Sequence, residues 1–271
     1  MKLASLLGWN RTSYFLFSAF VALVFIIVIV WWPLAQDYLA TFNPRYPWWL
    51  QLDWLLLGNF AAMSLLIMAR PDLKADALIV AVGLMGGLVI ESWGTQTNIW
   101  HYYTLERPPL WIIPAWPIAS LAIDRLVRVL KNATEDRQPT DAPSPSTVHR
   151  LWSLLYWLLF PSFFALMLFF VWPTRDKSLT LAALTLSAFL ILTPTDYRMA
   201  VLTFAAGAGL GYFLELWGTT RECWIYYTNE TPPFFAVLAH GMAAVAFWRT
   251  GLLIRLTLPL PIRHLVESPN R

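Results

Sequence analysis

The chain has 271 residues, of which 58% are hydrophobic and 13% charged, where a soluble domain carries roughly 25% charged residues. With 16 Trp, 17 Phe and a net charge of only +3, it has too little solvating charge for a soluble globule and too little basic excess for a nucleic-acid partner. One cysteine, Cys223, excludes an intrachain disulfide and a multi-cysteine metal site.

Apolar runs at 14–35, 49–69, 76–94, 110–130, 151–172, 178–194, 199–217 and 234–257 predict an all-α polytopic membrane protein of eight transmembrane helices. The first run follows Met1-Lys2 and could pass for a signal peptide ending near Leu34-Ala35, but its apolar stretch is too long for a signal core, so it is expected to be retained. Residues 131–149 are polar, contain Pro and Ser and lack apolar periodicity. They read as a flexible linker between a first half, 1–130, and a second, 150–271. With the N-terminus inside, 14 Lys and Arg fall on the inner side and 5 outside, which predicts a plasma-membrane protein with both termini and the linker cytoplasmic.

An internal repeat is the strongest signal in the chain. Residues 91–109, ESWGTQTNIWHYYTLERPP, and 215–233, ELWGTTRECWIYYTNETPP, align without a gap at an offset of 124, with eleven of 19 positions identical. The same offset pairs Asp72 with Asp196, Lys74 with Arg198, Gly83 with Gly207 and Gly87 with Gly211. Four spans per half then imply parallel repeats about an axis along the membrane normal, with both aromatic loops on the outer face.

Gly83, Gly87 and Glu91 are spaced i, i+4, i+8, as are Gly207, Gly211 and Glu215, so each glutamate shares a helix face with a small-residue packing stripe. If those two helices meet across the axis, Glu91 and Glu215 lie close, their titrations split, and a proton donor stands beside a carboxylate. That makes Glu91 and Glu215 candidate catalytic residues. The alternative is structural: each glutamate accepts hydrogen bonds from Thr95, Trp100 or a Tyr hydroxyl of the following loop and ties loop to helix. Trp93, Trp100, Tyr102, Tyr103, Trp217, Trp224, Tyr226 and Tyr227 are candidate substrate-binding residues that could line a pocket for an elongated apolar ligand, and equally an aromatic belt at the bilayer surface. His101 and His240 lie outside the repeated identities, since Ile225 and Trp116 stand at their equivalents, and His240 reads as a hydrogen-bonded helix-packing histidine rather than a metal or haem ligand. Asp72-x-Lys74 and Asp196-x-Arg198 read as local ion pairs in cytoplasmic turns.

Glu91-x-x-Gly94-x-x-Thr97, followed by Tyr102-Tyr103-Thr104, Pro109 and Ile113-Pro114-x-Trp116, resembles the motif region of polytopic carotenoid-biosynthesis membrane proteins of the carotenoid and bisanhydrobacterioruberin hydratase type. The resemblance covers about 25 residues and departs at Asn98 and at Trp100-His101. It implies acid-catalysed water addition to an isoprenoid double bond, with Glu91 as the acting carboxyl and Tyr102 as its supporting hydroxyl. Three functions follow as expectations: such an enzyme on an isoprenoid or pigment ligand, a non-catalytic subunit or assembly factor among other membrane subunits, and a lipid or small-molecule transporter. Sparse polar residues within the spans, such as Asn59, Ser64, Thr185, Ser187 and Thr203, count against an aqueous translocation path.

Overall fold

The computed structural model describes residues 8–30, 32–135, 145–193 and 196–257. Both chain ends, His264 among them, and the middle of the expected linker, 136–144, lie outside the described residues. The chain is mostly helical and forms two compact units, Met1–Pro71 and Asp72–Arg271. This division does not coincide with the midpoint of the sequence repeat.

The first unit holds α1 (Arg11–Val30), α2 (Trp32–Ala40), a 3-10 turn (Trp48–Gln51) and α3 (Trp54–Ile67). Asn10 and Ser13 open α1 with reciprocal bonds, Ser13 N–H to Asn10 Oδ1 and Asn10 N–H to Ser13 Oγ, each 3.0 Å. The run read as 49–69 begins as this 3-10 turn and becomes helical only after Asp53, whose carboxylate caps α3 by accepting from Leu56 N–H. Its large apolar side chains, Phe15, Phe25 and Trp54 among them, are exposed, as on helices whose solvent is lipid.

The second unit holds α4 (Leu73–Thr97), β1 (Trp100–Tyr102), α5 (Ala115–Glu135), α6 (Pro145–Phe170), α7 (Ser178–Leu192), α8 (Tyr197–Thr220), β2 (Trp224–Tyr226) and α9 (Phe234–Thr257). Among the described residues, α1, α4, α6, α8 and α9 are long and apolar enough to cross a membrane, whereas α3 and α7 are shorter apolar helices. The helix expected at 110–130 starts only at Ala115, because Pro108, Pro109 and Pro114 interrupt the chain before it, and it carries Asp124, Arg125 and Arg128. The linker is shorter than expected: 131–135 continue α5, where the Thr134 hydroxyl bonds back to Leu130 O, and 145–149 open α6.

Asp72 and Asp196 act as N-caps of α4 and α8, accepting from Ala75 N–H at 3.3 Å and Met199 N–H at 3.0 Å. Arg198 reaches beyond its own turn and donates to Lys131 O and Thr134 Oγ1 on α5. The core is aromatic: Phe170 stacks on Phe235 at 4.0 Å and Tyr156 on Phe160 at 4.4 Å, while Phe204 of α8 packs edge-on against Phe160.

The glycine stripes are buried, though against different neighbours from those expected. Gly83 and Gly87 lie under Pro117 and Trp116 of α5, and Gly207 and Gly211 lie under Gly241 and His240 of α9. Each glutamate helix therefore packs on the helix that follows it and on that helix's counterpart in the other copy, while α4 and α8 share no comparably extended contact. Val89 and Phe213, by contrast, are half exposed. Gly87→Leu or Gly211→Leu is expected to cost about 1–3 kcal/mol or more by driving a side chain into Trp116 or His240. Val89→Leu and Phe213→Leu should be nearly silent in a detergent melt.

Candidate functional site

Each copy builds the same short loop. After α4 the backbone turns through Asn98 at φ +60°, and after α8 through Glu222 at φ +54°, so that Ile99 N–H and Cys223 N–H bond back to Gly94 O and Gly218 O. Trp100 and Trp224 then fold their rings onto Gly94 and Gly218, where any Cβ would collide with the indole. The two loops meet as an antiparallel pair, Trp100 opposite Tyr226, His101 opposite Ile225 and Tyr102 opposite Trp224. Tyr103 N–H and Tyr227 N–H extend it to Cys223 O and Ile99 O. Positions 124 apart exchange places throughout, which is a local two-fold relation centred on His101 and Ile225.

Around each glutamate the loop closes a cage of donors. Glu91 Oε2 accepts from Trp100 Nε1 at 3.1 Å and Tyr102 OH at 2.9 Å, and its Oε1 accepts from Trp116 Nε1 at 3.1 Å. Glu215 Oε2 accepts from Trp224 Nε1 at 2.9 Å, and its Oε1 meets Tyr226 OH at 2.9 Å and His240 Nε2 at 2.8 Å. Both glutamates are 3% exposed. Removing a carboxylate from water costs several kcal/mol, and three bonds to a charged acceptor, at about 1.5–3 kcal/mol each, are of the size needed to offset it. Thr95 and Thr219 donate to the backbone oxygens of Glu91 and Glu215 at 2.6 Å rather than to the carboxylates.

The cages interlock. Trp100 packs against Tyr226 at 5.8 Å and Tyr102 against Trp224 at 5.9 Å, while Trp116 stacks on His240 at 5.7 Å with planes 19° apart. Burial pushes the Tyr102 and Tyr226 hydroxyls well above the usual phenol range, and the adjacent carboxylates push them further. Both should stay protonated in an alkaline ultraviolet titration that ionises the exposed tyrosines of the folded protein.

Among the candidate residues, the structure gathers Glu91, Trp100, Tyr102, Glu215, Trp224 and Tyr226 into this double cage. Trp93 and Trp217 stand one layer back, edge-on to Trp100 and Trp224 at 6.1 Å, and Trp93 Nε1 bonds Thr180 on α7. Tyr103 and Tyr227 are both exposed, at 69% and 43%, and Tyr227 also donates to Phe170 O. Sequence reasoning gave no bond to Trp116 and named no partner for His240, the third donors of the two cages. They occupy equivalent positions, and the signal was that both residue types carry a ring N–H.

A second polar cluster, also unforeseen, lies towards the other end of α4 and α5. Arg125, 2% exposed, makes a two-point contact with Asp76, Nη1 to Oδ1 at 3.0 Å and Nη2 to Oδ2 at 2.6 Å. Asp124 bridges Arg125 and Arg128. The equivalent arginine of the second copy, Arg249, is also buried and donates to Thr193 Oγ1 at 3.3 Å.

Among the described residues no group of three or more His, Cys, Asp or Glu is placed to hold a metal ion. Comparison with protein-family models, curated proteins and solved structures returned no match.

Proposed function

We propose that this membrane protein receives an elongated isoprenoid- or carotenoid-like lipid at the face bearing the two loops, and that a caged carboxyl there supports acid-catalysed chemistry on it. The observation carrying this reading is the pair of buried carboxyl cages side by side at one end of the helices, with Tyr103, Trp111, Tyr227 and Phe234 exposed around them. Exposed rings beside an apolar phase suit a long apolar ligand, and aromatic faces stabilise a developing cation. The two cages differ as proton sources. The Glu91 cage is filled by Trp and Tyr donors, whereas Glu215 touches an imidazole, so Glu215 is the carboxyl that this reading assigns to proton transfer. The motif likeness to carotenoid hydratases supports the same class of ligand and chemistry, but it points to Glu91 rather than Glu215 as the acting carboxyl.

The topology that accompanies it has eight crossings in two parallel four-helix repeats, both termini cytoplasmic and the loops outside, in the plasma membrane. It predicts that a membrane-impermeant thiol reagent labels cysteine introduced at Thr104 or Glu230, and not at position 140, in a Cys223→Ser background. Reversed labelling overturns the orientation.

A second reading is a non-catalytic subunit or assembly factor, favoured by the fact that the chain's own donors already occupy both carboxylates. Purification in mild detergent separates the two. A copurifying pigment or lipid, with its turnover lost in folded Glu215→Gln, supports the enzyme. A stoichiometric set of membrane subunits that dissociates from the same folded variant supports the subunit.

A further inference from the structure

We infer that His240 and Glu215 form an acceptor site for the hydroxyl head of a long apolar lipid, with His240 Nδ1 as the accepting atom. The inference rests on the lipid-ligand reading and deepens it by naming the polar group that the site takes.

The duplication supplies its own control. In the first copy the third donor to the carboxylate is Trp116, which has one ring N–H and nothing else to offer. The cage is complete with it. In the second copy the same position carries His240, whose Nε2 lies 2.8 Å from Glu215 Oε1. Closing the cage needs only this one nitrogen, so the second is surplus to the structural role.

With Nε2 as the donor in this bond and the ring neutral, Nδ1 carries a lone pair. The bond to Glu215 fixes the ring orientation. No described residue hydrogen-bonds to Nδ1, and the His240 side chain is 21% exposed while that of Glu215 is 3% exposed. The ring is held flat against Trp116, which in turn meets Phe247 edge-on at 5.8 Å, so the acceptor is bordered by apolar ring surface. A single fixed acceptor beside such surface suits an amphiphile with one donor and a long hydrocarbon body, such as an isoprenoid alcohol. The charged and titratable groups around it, Glu215, Tyr226, Glu91 and Tyr102, are already bonded to one another or to the Trp donors, so they do not compete for the ligand.

The test compares geranylgeraniol with geranylgeranyl methyl ether, which has the same body and no donor, binding to the full chain in phosphatidylcholine nanodiscs. Wild type should prefer the alcohol by about tenfold, the worth of one hydrogen bond. His240→Gln, whose amide can still donate to Glu215, and His240→Trp, which copies the first cage, should each bind the two probes equally. If wild type binds both equally, or if His240→Gln keeps the preference, the Nδ1 site is overturned while the ligand reading stands. If neither probe binds, the ligand reading itself fails and takes the inference with it.

Discussion

Glu91→Gln should lower the stability of the loop end by about 2–4 kcal/mol, although the change is nearly isosteric. Three donors converge on Glu91, and a carboxylate has acceptor sites for all of them. Glutamine offers one acceptor oxygen and turns an NH2 toward a donor, so at least one buried donor loses its partner, at about 1–3 kcal/mol, and one contact becomes repulsive. At roughly 2–4 °C per kcal/mol for a chain of this size, the melting temperature should fall by about 5–15 °C. Glu215→Gln should fall by about half as much or less. His240 can move its proton to Nδ1 and accept from the new amide with Nε2, a rearrangement that Trp116 cannot make. Glu106→Gln, on the exposed loop, should shift nothing beyond about 0.5 kcal/mol. Equal melting of Glu91→Gln and Glu215→Gln would contradict the asymmetry between the cages on which the proton-transfer assignment rests.

Arg125→Met should be similarly or more damaging, at about 3–5 kcal/mol, because it leaves Asp76 as a buried carboxylate without its two-point partner. The pair Asp76→Leu with Arg125→Met should recover much of that loss, since well-packed apolar replacements avoid the desolvation cost of both charges. A double-mutant cycle by thermal melting in detergent measures the coupling. If the single and double variants melt together, the ion pair does not hold α4 to α5.

The mutated glutamates also show what could be read before any coordinates. The 124-residue offset placed Glu91 and Glu215 on matched glycine-bearing faces, and the alternative of a carboxylate tying loop to helix named Trp100 and a Tyr hydroxyl as donors. Both relations are local in sequence, nine and eleven residues apart, and so are visible as spacing. Trp116 and His240 are 25 residues from their glutamates, across a proline-bearing loop whose path spacing does not reveal. The mismatch of residue types at that position also argued against a common role, because identity was used as the measure of equivalence when the shared property was a ring N–H.

Composition and hydropathy by themselves determined that this is a helical membrane protein, since too few charges exist to solvate any other class, and the ungapped repeat determined that two loops are built alike. Which helices touch was decided only by tertiary packing. The glycine stripes announce a close approach without saying to what, and here they receive Trp116 and His240 rather than each other. Likewise Asp76 and Arg125 are 49 residues apart and meet because α5 lies along α4, a contact no periodicity encodes. The antiparallel pairing of Trp100–Tyr102 with Trp224–Tyr226 belongs to the same class: three-residue strands have no pattern of their own and exist because the packed helices bring two similarly built loops face to face.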